Sequence, residues 1–108
     1  MHEQALLEIC ESDDVPFHEI SNAAQRLNAL FGQGVHPIDG EERRVIFERF
    51  TSIMSARIHE ANATDLSRLA WLYLHLWDDA TAKGLTKKAL SLEPENSHCL
   101  KLAVRLGI

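Results

Sequence analysis

Apolar residues recur along this chain at spacings of three and four, the period of an α-helix with one buried side. The clearest stripe is Phe17, Ile20, Ala24, Leu27 and Phe31. Toward the end of the chain, two further sets are expected to face inward: Ala82, Leu85, Ala89 and Leu92, and then Cys99, Leu100, Ala103, Val104 and Leu106. No alternating β-branched run is bounded by turn residues, so the pattern predicts an all-α protein.

Turn and capping signals divide the chain into six predicted helices. Pro16, Pro37 and Pro94 fall where helices can begin or end. The predicted helices cover about residues 2–11, 16–31, 41–58, 65–77, 79–92 and 97–106. The expected caps are Asp14, Asp39, Thr64 or Asp65, and Asp78 with Asp79.

The fourth predicted helix, at residues 65–77, is apolar on all sides. Its large residues surround the helix axis, so we expect it to pack against more than one neighbour. Trp77 is expected in the core. For Trp71 the sequence leaves two alternatives, a core position or a contact with a partner. The second is considered because exposed aromatic side chains dominate binding hot spots.

Length and composition describe one folded domain. The 108 residues include 45% hydrophobic and 25% charged residues, far from the composition of a disordered chain. The formal net charge of −5 opposes the attraction to phosphates that nucleic-acid binding needs, so no nucleic-acid partner is expected. The apolar run from Leu69 to Trp77 is far shorter than the ~20 residues that span a bilayer, so no membrane association is expected.

The cysteines and the start of the chain favour a cytoplasmic protein. Cys10 and Cys99 form no CxxC pattern, and the N-terminus lacks a basic region followed by an uninterrupted apolar core. We therefore expect reduced, buried thiols. The ending "LSLEPENSHCLKLAVRLGI" suggests a bacterial origin, and the two termini fit both a whole protein and a fragment of a longer one.

Residues 63–96 carry small and large residues at a specific spacing. These are Leu66, Leu69, Ala70 and Tyr73, then Ala82, Thr86, Ala89 and the Pro94 of "ALSLEPEN". The spacing resembles the 34-residue tetratricopeptide repeat, W-x-x-L-G-x-x-Y followed by A-x-x-x-F, an alanine and a proline. Leu66 and Thr86 depart from this pattern, and residues 1–62 do not show it.

The resemblance implies a non-enzymatic protein-interaction function. Members of this family mostly bind peptides or partner helices along a concave surface lined by the first helix of each repeat. Carried onto this chain, that surface comprises Ser67, Trp71, Leu74, His75, Lys101 and Arg105. Lys101 and Arg105 are one helical turn apart and can address one acidic group, so an acidic peptide or helix is the expected partner. No cofactor or metal is implied, and the asparagine pair with which some members hold a C-terminal carboxylate is not evident.

One such repeat cannot bury its apolar side alone, so residues 1–62 are expected to supply further packing surface. The expected architecture is one domain, a right-handed stack of five to six helices. Its irregular N-terminal part, residues 1–62, docks on a tetratricopeptide-like hairpin and capping helix, residues 63–108. A compact helical bundle without superhelical twist is the alternative.

Two rival functions stay open. The apolar surface of the helix at residues 65–77 can form a homodimer interface, so a structural or oligomerisation domain is the main alternative. His75, Asp78 and Asp79 can also hold a cation in a small hydrolase or metal-binding protein. No second histidine joins them at ligand spacing, so we expect ordinary turn chemistry there.

Overall fold

The computed structural model describes residues 15–31 and 41–108, which form five α-helices and one short 3₁₀ turn. The helices are α1 (Phe17–Phe31), α2 (Glu41–Ala56), α3 (Ala63–His75), α4 (Asp79–Leu92) and α5 (Ser97–Leu106). The 3₁₀ turn, Ile58–Glu60, links α2 to α3. Neither described range contains a strand, and the all-α prediction is confirmed.

The observed helix boundaries correct several predicted ones. α3 covers Ala63–His75 instead of 65–77, and α2 ends at Ala56 because Ile58 already belongs to the 3₁₀ turn. α4 ends at Leu92, shortly before Pro94, as predicted. The helix predicted at residues 2–11, the loop between α1 and α2, Cys10 and the caps Asp14 and Asp39 lie outside the described residues.

α3 begins with a reciprocal pair of hydrogen bonds. The backbone N–H of Asp65 donates to the side chain of Asn62 (2.8 Å), and the N–H of Asn62 donates to the carboxylate of Asp65 (3.0 Å). Asn62 is therefore the cap, and the prediction of Thr64 or Asp65 is wrong. Asp65 instead occupies the third helical position, where its negative charge also suits the positive end of the helix dipole.

α4 and α5 also begin at side-chain caps. Asp78 accepts a hydrogen bond from the backbone N–H of Thr81 (3.1 Å), which confirms one of the two predicted caps of α4. Asn96 accepts from the backbone N–H of Cys99 (3.1 Å) at the start of α5. Each cap satisfies an N–H group that has no partner within its own helix.

α3 is the central helix of the fold, because it contacts each of the other four α-helices. Leu66, Leu69 and Leu72 are all fully buried on it, so the prediction that it packs on more than one side is confirmed. The surrounding core includes Ile20 and Leu27 of α1, Phe47 and Phe50 of α2, Ala82 and Ala89 of α4, and Cys99 and Leu102 of α5.

Four large apolar residues expected in the core are exposed instead. Trp77 is 75% exposed and Leu92 is 56% exposed, because one lies in the turn after α3 and the other in the last turn of α4. On α5, Leu100 (46%) and Val104 (82%) face outward. Cys99, Ala103 and Leu106 are buried there as predicted, and Leu102 joins them, so the buried side of α5 is turned away from Leu100 and Val104.

α1 and α2 form an antiparallel pair. Arg57, just after α2, donates from Nη1 to the backbone oxygen of Val15, just before α1 (2.7 Å). The guanidinium of Arg57 also lies 5.7 Å from the centre of the Phe17 ring. Arg57 is half-buried, and its contacts tie the end of α2 to the start of α1.

Candidate functional site

A groove of about 210 Å³ lies between α1, α3 and α5. It is lined by Gln25 and Asn28 of α1, Thr64, Ser67, Arg68 and Trp71 of α3, and His98 and Lys101 of α5. Arg68 and Lys101 bring positive charge, and none of the described lining residues is a carboxylate. The groove is therefore basic, although the whole chain carries a formal charge of −5.

Contacts at both ends hold α5 alongside α3. Near their N-termini, the side chain of Asn96 donates to the hydroxyl of Thr64 (3.1 Å). Near their C-termini, the guanidinium of Arg105 lies 5.2 Å from the centre of the Trp71 ring. The two helices consequently run in the same direction, and Lys101 lies between these two contacts on the same edge of the groove.

A buried polar network joins α1 to α3. The hydroxyl of Ser21 donates to Asp65 Oδ1 (2.5 Å), and both residues are buried. Nη1 of Arg68 donates to the hydroxyl of Ser21 (2.9 Å) and to the side-chain oxygen of Asn22 (3.1 Å). This network fixes one end of the Arg68 guanidinium, and hence a positive charge, at the α1 edge of the groove.

Asn28 lines the groove and ties α1 to α3. Its side-chain nitrogen donates to the backbone oxygen of Arg68 (3.0 Å). Its Oδ1 is buried, and among the described residues no donor reaches it. An unpaired buried acceptor costs free energy, so the Arg68 contact is made at the expense of the other end of the amide.

The structure brings three of the six sequence-predicted site residues together. Trp71 packs partly against the core and presents the rest of its indole to the groove. Arg105 covers the Trp71 ring, and Lys101 follows along the same edge. A desolvated aromatic ring beside arginine is a frequent anchor of protein interfaces.

The other three predicted residues offer less to a ligand. Ser67 lines the groove but is 3% exposed, and its hydroxyl donates to the backbone oxygen of Thr64 (2.6 Å). Leu74 is partly buried against the core. His75 is buried, and its ring meets Phe47 edge-on with the ring centres 5.5 Å apart. The surface of α3 that a ligand can reach therefore centres on Trp71.

His75 has an altered ionisation for two reasons. Burial disfavours the charged imidazolium and is the larger cause that lowers the pKa of His75, and the positive charge of Arg105 adds to it. The Trp71 ring lies beside His75 as well, with centroids 6.2 Å apart. His75 is therefore a neutral packing residue beneath the groove at neutral pH.

Sequence reasoning missed most of the polar lining. Arg68 and His98 lie one helical turn before Trp71 and Lys101, so helical spacing alone could have placed them on the same faces. Gln25 and Asn28 could not have been found in this way, because the sequence did not indicate which side of α1 meets α3.

The residues of the metal hypothesis do not converge. Asp78 Oδ1 accepts from the Thr81 N–H and its Oδ2 accepts from the Thr81 hydroxyl (2.8 Å), so both oxygens serve the cap of α4. His75 is turned into the core, and Asp79 is exposed. Within residues 15–31 and 41–108, no group of three or more histidine, cysteine or acidic side chains is arranged to hold a metal ion.

Comparison with protein families, with curated proteins and with solved structures finds no match to this chain. Among the described helices, none combines the length and the apolar character needed to cross a bilayer.

Proposed function

We propose that this protein is a non-enzymatic interaction module that binds an acidic peptide or helix of a partner protein in the groove between α1, α3 and α5. The observation that carries the proposal is the combination of a partly exposed Trp71 with a row of cations along one groove. Arg68 approaches Trp71 from the α1 side, and Lys101 and Arg105 approach it from α5.

Charge supports an acidic partner. The described lining residues carry cations without a carboxylate, whereas the chain as a whole has a formal charge of −5. Opposite charge therefore attracts an acidic segment to the groove. Arginine and lysine there can each form charge-assisted hydrogen bonds with aspartate or glutamate.

The helix directions support the tetratricopeptide resemblance. Ser21 of α1 bonds to Asp65 of α3, and further along both helices Asn28 bonds to Arg68. α1 and α3 therefore run in the same direction. α5 also runs parallel to α3, so α1, α3 and α5 share one direction and line one groove. The resemblance implies that the first helix of each hairpin lines the binding surface, and the shared direction of α1, α3 and α5 supports that proposal.

The alternative of oligomerisation through α3 loses its main support. Leu66, Leu69 and Leu72 are used inside one chain, where they contact the surrounding helices. Trp77 is the only large apolar residue of the segment 65–77 that is mostly exposed, and it lies beyond the end of α3. α3 therefore leaves little apolar surface for a second copy.

Trp71 itself provides the direct test. A Trp77→Phe chain retains Trp71 as its single tryptophan, because the sequence holds two. We expect a peptide of alternating glutamate and leucine to change the Trp71 emission saturably, and a lysine–leucine peptide of equal length to leave it unchanged. Added salt should weaken the binding of the glutamate peptide, because salt screens exposed charge pairs. Equal responses to both peptides would contradict the proposal.

A matched pair of variants locates the binding site. Lys101→Glu with Arg105→Glu should abolish the response to the glutamate peptide. Lys87→Glu with Lys88→Glu changes the net charge equally on exposed positions of α4 and should reduce affinity only slightly. Equal losses in the two double variants would show general charge attraction and not groove binding. Unchanged far-ultraviolet circular dichroism in both variants confirms that the helices are intact.

A further inference from the structure

α5 is apolar on two sides, and the helices within residues 15–31 and 41–108 cover only one of them. Cys99, Leu102, Ala103 and Leu106 form its buried side. On the opposite side, Leu100 is 46% exposed and Val104 is 82% exposed. Leu92, at the end of α4, and Ile108, after α5, are also exposed. We call Leu92, Leu100, Val104 and Ile108 the terminal face.

The terminal face is distinct from the groove. None of its four residues lines the groove, which α5 reaches through His98 and Lys101. Leu100 and Val104 are four residues apart and form a short ridge along the helix. Leu92 and Leu100 lie on either side of the short connection between α4 and α5. Exposed apolar residues on one side of a helix, such as Leu100 and Val104, mark an interaction surface.

Charges beside the terminal face change sign along α5. Glu93 and Glu95 precede the helix, whereas Lys101 lies at its middle and Arg105 in its last turn, each one position after a residue of the apolar ridge. An antiparallel neighbour with the same sequence brings its basic half beside these glutamates and its glutamates beside this basic half. A parallel copy places like charges together and is disfavoured.

We propose that the terminal face binds the terminal face of a second copy of this chain, with the two α5 helices antiparallel about a two-fold axis. In this two-fold arrangement each copy uses the same surface, and the Leu100–Val104 ridge of one packs beside that of the other. The arrangement goes beyond peptide binding in the groove and does not depend on it.

The association is weak and concentration-dependent. A stable interface buries about 800 Å² on each partner, and the four exposed side chains of the terminal face supply only part of that area. We expect a dissociation constant on the order of 100 µM, which places the monomer–dimer transition within the range of sedimentation experiments.

Sedimentation velocity of the peptide-free chain, from about 10 µM to about 1 mM, tests the proposal. The weight-average mass should rise from that of a monomer toward that of a dimer. Val104→Glu should hold the chain monomeric at every concentration, and its exposed position leaves the fold intact. Val45→Glu is the control, because Val45 on α2 is 45% exposed, nearly as much as Leu100, but lies outside the terminal face. A wild-type chain that stays monomeric, or an equal effect of both substitutions, overturns the proposal.

Charge reversal tests the antiparallel orientation. Arg105→Glu alone and Glu95→Lys alone should each weaken dimerisation, and the two together should restore it toward the wild-type level. Failure of the double variant to restore the dimer contradicts the antiparallel arrangement. Val104→Glu should also keep the Trp71 response to the glutamate peptide, so loss of the dimer and loss of groove binding are separable results.

Discussion

The guanidinium of Arg105 covers the ring of Trp71 at 5.2 Å and joins α5 to α3 across the edge of the groove. The same cation acts on His75, which is buried beneath Trp71. One arginine therefore influences both the surface that a ligand meets and the ionisation of a core residue. The stability of the protein at low pH therefore reports on the ionisation of His75 at the groove.

Stability should fall as the pH drops below about 6.5, because the pKa of His75 is lower in the folded chain than its ordinary value of 6.5. The folded state then binds fewer protons than the unfolded state, so stability rises with pH in this range and is lost on acidification. Thermal melts of wild type and His75→Gln between about pH 5 and pH 8 measure the difference. The variant should lack this part of the pH dependence, and identical profiles would contradict the assignment.

Gly84→Ala should stabilise the protein by about 0.5–1 kcal/mol. Gly84 lies in the middle of α4, and a Cβ added there meets nothing within 4 Å. Alanine therefore restricts the unfolded chain without introducing a clash. Urea denaturation of the two chains gives the change in the free energy of unfolding, and a decrease would indicate an unseen steric conflict.

Asp65→Ala should destabilise the chain by roughly 2–3 kcal/mol. The substitution removes the acceptor for the Asn62 N–H and for the Ser21 hydroxyl, and Ser21 is fully buried. Asp79→Ala is the matched control, because Asp79 is exposed in the first turn of α4. Chemical denaturation should separate the two variants clearly, and similar losses would show that the α1–α3 network contributes little.

Trp77→Gly should raise the free energy of unfolding by about 0.5–1 kcal/mol. Trp77 has a φ of 63°, the left-handed conformation that side chains with a Cβ disfavour, and 75% of its surface is exposed. Glycine relieves the backbone strain with little loss of burial. Trp77→Ala removes the same indole but keeps the strain, so alanine should be less stable than glycine at this position.

The apolar periodicity of the sequence was sufficient to predict the helices, because a buried stripe depends only on spacing along one helix. The stripe of Phe17, Ile20, Ala24 and Leu27 is an example, since all four residues are buried. Periodicity was less informative on α5, where Leu100 and Val104 compete with Leu102 and Leu106 for the inner side. When one helix carries two apolar stripes, its own sequence does not show which stripe is buried, because the neighbouring helices decide this.

The candidate site was predicted in part for a related reason. Trp71, Lys101 and Arg105 were found from spacing within their own helices and from the tetratricopeptide resemblance. Asn28 and the Ser21 network depend on how α1 meets α3, a long-range contact that no local pattern encodes. The inward turn of His75 likewise depends on Phe47 of another helix.

α3 contacts every other described α-helix, so the described helices pack as one unit around α3 and not as two independent pairs. Loss of α3 would leave the α1–α2 pair and the α4–α5 pair each with an uncovered apolar side. Unfolding should therefore be cooperative across the chain, and a ligand in the groove would slow the opening of both pairs at once. A mutation that weakens either pair should then be tolerated only while the remaining helices still cover α3.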